Sequence, residues 1–360
     1  MDRFRVAILG TSFGRTVQAA GFQRHSGFEL VAIAGTDAEK TRRIAGELGV
    51  PGAYSDWRRL LDEAKPDLVC IATPVDLHHP MMLAALERGA HVLCEKPTAL
   101  TRLQAAEMRD RAAVLGRVAA INHEFRFFPA RAYALALTRR GDIGAPRRGE
   151  ILGRYPIWAR PESRGMTWLS RRERGGGILG ALGSHHTDCL RLFLGEPVSA
   201  LASVRVDQPR RGSGAAAGIA TADDACTVHY AFERGATELI DLSGCAPYRW
   251  ERFEIHGSEA TLRWDETGYR LWRIAAGSEP EELAIPEEHR LEVRAGDPAL
   301  LAPFGVLVER LYRALRGQQA MEPDFGDAVA VQSALDAARA SSEAGTVVRV
   351  EIPMPAARTA

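Results

Sequence analysis

Short apolar blocks alternate with longer amphipathic ones through the first third of the chain. Phe4 to Leu9, Phe28 to Ala34, Asp67 to Ala72, His91 to Cys94 and Val118 to Ile121 are each too short for a helix and rich in Val, Ile, Leu and Ala. They predict strands buried on both faces. Between them, residues 16–24, 38–48, 55–63, 80–88 and 102–115 space their apolar positions as helices do. Strands alternating with helices of this length predict a doubly wound, mostly parallel sheet, an α/β fold.

The rhythm changes after Asn122. One helix, Pro129 to Arg140, precedes a stretch of half-apolar strand patterns: Ser199 to Val206, Asp224 to Phe232, Ala236 to Ser243, Arg252 to His256 and Ala260 to Trp264. Alternation of apolar and polar positions predicts a large, mainly antiparallel sheet with one wet face, the β part of an α+β domain. Residues 208–222, rich in Gly, Ala and Arg, read as a mobile loop. Helices at 304–315 and 325–344 and a strand at 347–352 close the pattern. Two domains are expected, 1–122 and 123–352, with a frayed tail at 353–360.

Composition narrows the function. The 360 residues carry 46 basic and 46 acidic side chains, so the basic footprint of a nucleic-acid partner is missing. No apolar run approaches the roughly 20 residues that span a bilayer. Neither nucleic acid nor membrane is therefore expected as a partner. Five scattered cysteines without a Cys-x-x-Cys pair point to reduced thiols, a cytoplasmic location and no metal site. Lysine occurs only at Lys40, Lys65 and Lys96 among the 46 basic residues. Its pKa can be moved into a useful range where arginine's cannot, so each lysine attracts attention.

Gly10-Thr11-Ser12-Phe13-Gly14 follows the first strand and opens a helix. Helix N-terminal amides and the helix dipole suit a dinucleotide pyrophosphate there, with Ser12 in place of a middle glycine. At the end of the second strand the position that would accept from a ribose 2′-hydroxyl is Gly35. Gly35, Thr36 and Lys40 therefore favour NADP over NAD, with NAD the alternative. Asp37 is expected to cap the following helix. Thr73, Pro74 and His78 follow one strand end, and Cys94-Glu95-Lys96-Pro97 follows the next. Farther on, Gly175 to Asp188 opens an apolar helix that carries His185 and His186. Trp168 lies in a loop-like segment before the glycines and offers an aromatic face there.

These stretches, with Arg126-Phe127-Phe128-Pro129 and His256-Gly257-Ser258-Glu259, resemble the Gfo/Idh/MocA family over nearly the whole chain. The resemblance implies a Rossmann domain followed by an α/β domain whose open sheet makes a homodimer or homotetramer. It implies nicotinamide-dependent oxidation or reduction of a sugar, cyclitol or related polyol or carbonyl compound. Gly10 to Gly14, Gly35, Thr36, Lys40, Thr73, Pro74, His78, Glu95 and Lys96 would then line the cofactor. Lys96 would sit beside the reacting oxygen, steadied by Glu95 and aimed by Pro97, with His185 as acid/base. His123, Arg126, Trp168, His186 and Asp188 would join Lys96 and His185 at the substrate. Many members carry Asp four residues before the histidine, and here that residue is Ala181. This departure keeps a non-catalytic nucleotide sensor open, and the resemblance implies a further alternative through relatives with glycosidase activity, a nucleotide-retaining glycosidase or lyase working by transient oxidation.

Overall fold

The structure, a computed structural model, describes residues 3–356. Two compact units are present among the described residues: 3–124, 292–329 and 353–356 form the first, and 125–291 and 330–352 the second.

In the first unit, β1 (Phe4–Leu9), β2 (Phe28–Ala34), β3 (Gly52–Tyr54), β4 (Leu68–Ile71), β5 (His91–Cys94) and β6 (Ala119–Ile121) form one parallel sheet in the order β3-β2-β1-β4-β5-β6. Val6 to Leu9 and Leu68 to Ile71 are almost fully excluded from solvent, as a sheet covered on both faces requires. The crossover helices are α1 (Ala19–Arg24), which continues a wide turn at Gly14–Gln18, α2 (Ala38–Leu48), α3 (Trp57–Ala64), α4 (His78–Glu87) and α5 (Arg102–Val114). The strand order reverses between β1 and β4, and ligands of such sheets bind outside the carboxyl ends of the strands at that point.

The second unit contains α6 (Pro129–Arg140), β7 (Pro146–Arg154), α7 (Ser184–Leu194), β8 (Pro197–Arg205), the short pair β9 (Arg210–Arg211) and β10 (Gly218–Ile219), β11 (Ala225–Phe232), β12 (Thr237–Ser243), β13 (Trp250–Gly257), β14 (Ala260–Trp264), β15 (Leu271–Ala275) and β16 (Glu281–Leu283). The chain then passes through α8 (Leu301–Leu315) in the first unit and α9 (Phe325–Ala344), and ends with β17 (Val348–Arg349). Nine strands make one sheet, β16-β15-β14-β13-β7-β12-β11-β8-β17, antiparallel throughout except for the β7–β12 pair.

Three features differ from the sequence expectation. Residues 292–329, expected in the second domain, pack with the first: Phe304 of α8 meets Phe22 edge-on at 5.8 Å, and Tyr312 meets Phe28 at 5.8 Å. Strands β7 and β15 were not anticipated. The segment 208–222 is anchored rather than loose, because Arg211, 1% exposed, donates to Asp224 at 2.6 Å and its guanidinium lies 4.2 Å from the Trp158 ring. At the tail, Arg109 donates to the carbonyls of Pro353 and Met354, and residues 357–360 lie outside the described residues.

One carboxyl interrupts the core of the second unit. Glu238 of β12 pairs across the sheet with Tyr230, whose hydroxyl donates to the Ala334 carbonyl of α9. Glu238 is fully buried, and neither of its oxygens has a hydrogen-bond partner.

Candidate functional site

The glycine turn after β1 is built for close approach. Gly10 has φ +127°, and a Cβ there would stand 2.2 Å from the Ala72 carbonyl oxygen. Only glycine fits between the ends of β1 and β4. A Cβ on Gly14 would stand 2.6 Å from Ile8 Cγ2, so this glycine lets the helix settle onto the strand. Ser12 is exposed, with Thr11 and Phe13 half-buried beside it. A backbone cradle at the mouth of a helix, at the switch point of the sheet, fits a dinucleotide pyrophosphate.

At the end of β2, a Cβ on Gly35 would meet the Thr11 and Thr41 side chains at 2.5 and 2.8 Å. Asp37 accepts from the Lys40 backbone N–H at 2.9 Å, the capping role that its position suggested. Lys40 and Thr36 are exposed at the same strand end.

Glu95 and Lys96 follow β5, and the Lys96–Pro97 bond is cis. Glu95 is 8% exposed, and its Oε1 accepts from Gln18 Nε2 at 2.9 Å and Asn122 Nδ2 at 2.6 Å. Burial pushes its carboxyl above the usual range, against the pull of the adjacent Lys96 ammonium and of these donors. The side chain is thus fixed from the ends of three elements. His78, expected at the cofactor, is 1% exposed and braces two strand-end loops from inside. Its Nε2 lies 2.9 Å from the Thr73 carbonyl, and its Nδ1 lies 3.1 and 3.3 Å from those of Pro97 and Thr98. Burial lowers its pKa. His123, expected at the substrate, is likewise interior at 1% exposure, as is its neighbour Glu124.

In the second unit, helix α7 continues a wide turn, Leu179–Gly183, and its start is capped from a distance. Asp223 Oδ2 accepts from the Leu179 N–H at 2.7 Å, while its carbonyl accepts from Ile178. A Cβ on Gly177 would stand 2.1 Å from Asp223 Oδ1, which accounts for the last of the three glycines. His185 is 2% exposed and stacks on Phe125, centroids 3.8 Å apart and planes 7° from parallel. His186 turns the other way, toward Phe253 at 5.3 Å. Asp188 is fully buried and accepts both Arg126 donors, Nε at 2.6 Å and Nη2 at 2.5 Å. The two residues expected at the substrate therefore hold each other. Trp168 is half-buried, while Tyr155 and Trp158 belong to the core. Sequence reasoning passed over Arg131 and Asp223. An aspartate pair before a strand, Asp223-Asp224, was the available signal for the last of these.

Among the described residues, Glu150, Glu254 and His256 bring ligand-type atoms within 4.8 Å of one another. Arg252 and Arg148 donate to Glu150 at 2.6 and 3.3 Å, so that carboxylate is already neutralised by guanidinium groups. None of the described helices is long and apolar enough to cross a membrane.

Comparison with known proteins agrees with this geometry. An oxidoreductase family with an NAD-binding Rossmann fold matches residues 4–123, and a Gfo/Idh/MocA C-terminal domain matches residues 132–263. D-apiose dehydrogenase of Paraburkholderia graminis is 30% identical, covering 75% of this chain and 70% of its own. 1,5-Anhydro-D-fructose reductase of Ensifer adhaerens is 29% identical over 72% of this chain and 74% of its own. The crystal structure of an oxidoreductase domain protein from Kribbella flavida superimposes with a TM-score of 0.89 at 26% identity, covering 98% of this chain and all of that one.

Proposed function

Because this chain belongs to the Gfo/Idh/MocA oxidoreductase family, we propose that it moves hydride between NADP(H) and a sugar, cyclitol or related polyol or carbonyl compound, with Lys96 and His185 handling the proton. The observation that carries the reading is the gathering of Gly10, Gly35, Thr73-Pro74 and Glu95-Lys96 at the carboxyl ends of β1, β2, β4 and β5, beside the switch point. The relatives reported above act on D-apiose and on 1,5-anhydro-D-fructose by name, which supports a sugar or related compound as substrate.

Nicotinamide, when bound, supplies the hydride acceptor or donor. The chain's own residues bind, orient and move one proton. Backbone amides of residues 10–14 and the helix behind them hold the pyrophosphate. Thr36 and Lys40 receive the ribose 2′-phosphate. The occupation of Asp37 by its cap supports NADP over NAD. Lys96 Nζ holds the reacting oxygen and lowers the cost of its negative charge, and the buried Glu95 carboxyl steadies the lysine. His185 takes the proton during oxidation and returns it during reduction. The C-terminal sheet offers Val198, Leu201 and Trp250 as exposed apolar groups, in keeping with pairing to a second copy.

Fluorescence titration of nucleotide-stripped protein with NADPH and with NADH tests the cofactor assignment. Tighter NADPH binding is the expected result. Tighter NADH binding would transfer the ribose to Asp37, and binding of neither by folded protein would make the Gly10 turn purely structural.

A further inference from the structure

A histidine on a helix retains rotation about χ2, and for an acid/base that rotation decides where its ring nitrogens point. The family's carboxylate at i−4 would be Asp where this chain has Ala181. A methyl group cannot orient an imidazole. Packed against His185 instead is the Phe125 ring, parallel within 7° with centroids 3.8 Å apart, so the two rings lie face to face in contact. Stacking over a face fixes the ring plane and leaves the ring edge, which carries both nitrogens, outside the stack.

Phe125 is itself held. It meets Phe128 edge-on at 5.6 Å and 74°. The Arg131 guanidinium lies 4.8 Å from its centroid, and with one face taken by His185 it occupies the other. Arg131 is 4% exposed, lies 4.8 Å from Phe253 and 5.5 Å from Phe128, and donates to the Phe125 carbonyl at 3.4 Å. A buried cation caged by three phenyl rings is costly to place and is a firm backing for the ring it touches.

We infer that Phe125 is a positioning residue for His185, its ring, backed by Arg131, setting the imidazole plane in place of a carboxylate at position 181. This rests on the reading of His185 as the acid/base. A phenyl ring differs from a carboxylate in one respect that matters: it orients the imidazole without adding a negative charge beside it.

Two measurements on the full-length protein test this. In protein labelled with ¹³C-histidine, the His185 ring protons are identified by their loss in His185→Asn. Stacking at 3.8 Å shifts them upfield. Phe125→Leu, which keeps apolar volume, should move them downfield by several tenths of a ppm, and Phe125→Tyr should leave them in place. In the kinetic arm, D-apiose with NADP⁺ and 1,5-anhydro-D-fructose with NADPH serve as probes. Phe125→Leu should lower kcat roughly tenfold with KM for the sugar within about twofold, Phe125→Tyr should restore it, and in a His185→Asn background Phe125→Leu should add less than about twofold. An unmoved His185 signal in Phe125→Leu, or unchanged kcat in that variant where His185→Asn is impaired, overturns the inference. Wild-type turnover by His185→Asn would overturn the acid/base reading instead, while the ring shift still reports the stack.

Discussion

Replacing Glu238 by glutamine should change how the stability of the second unit depends on pH. The side chain lies near the start of β12, fully buried and without a hydrogen-bond partner, and burial alone pushes its carboxyl well above the usual carboxylate range. The unfolded chain gives up this proton near pH 4.3, whereas the folded protein keeps it to higher pH. In that window the folded state binds one proton more, so stability falls as pH rises, by about 1.4 kcal/mol per pH unit at the limiting slope. Integrated from pH 5 to 6 with the unfolded value near 4.3, the loss is about 1.3 kcal/mol. Glutamine keeps the shape and does not titrate, so the stability of Glu238→Gln relative to wild type should rise by that amount. Glu238→Leu removes the unsatisfied polar group as well and should gain about 1–3 kcal/mol at pH 5. Urea unfolding at pH 5, 6 and 7, followed by tryptophan fluorescence, reports on this core through Trp158 and Trp264. Parallel pH profiles for wild type and Glu238→Gln would show that the carboxyl titrates normally in the fold and would refute the reasoning.

Other expectations are more local. Gly10→Ala places a methyl group against the Ala72 carbonyl at φ +127° and should abolish nucleotide binding in a titration, in protein that still folds by circular dichroism. Lys96→Ala should lower turnover by two or more orders of magnitude, with NADPH affinity changed less than about threefold; intact turnover would remove Lys96 from the site. Asp223→Ala loses the cap at Leu179 and should cost about 0.5–2 kcal/mol in urea unfolding, most of it recovered by Asp223→Asn.

The parallel sheet was legible because its strands are buried on both faces and its turns demand glycine, two features written locally. Strand β7 was not, for a physical reason. Its inward positions are Gly149, Ile151 and Gly153, and the first accommodates Leu190 and Leu194 of α7, where a Cβ would meet their methyl groups at 2.6 and 3.2 Å. Helix packing removed the apolar signal that would have marked the strand. The glycine turn and the Glu95-Lys96 pair could be read because each lies within one short segment at a strand end. The Arg126–Asp188 pair and the Phe125–His185 stack join residues some sixty positions apart, and no spacing rule in one sequence relates them. The burial of His123 was likewise hidden, since a polar run after a strand reads the same whether it faces outward or inward.

The return of α8 to the first unit has a consequence for how the chain matures. A Cβ on Gly21 would stand 2.5 Å from Phe304, and one on Gly27 would stand 2.2 Å from Tyr312, so these early glycines are shaped to receive side chains made nearly three hundred residues later. During synthesis at 5–20 residues per second, Phe4, Phe22 and Phe28 wait roughly 10–40 s between emergence of the sixth strand and arrival of their cover. A fragment ending near residue 124 should therefore present a sticky aromatic patch and aggregate. The same fragment joined to residues 292–329 through a flexible linker should stay in solution, as gel filtration of the two would reveal.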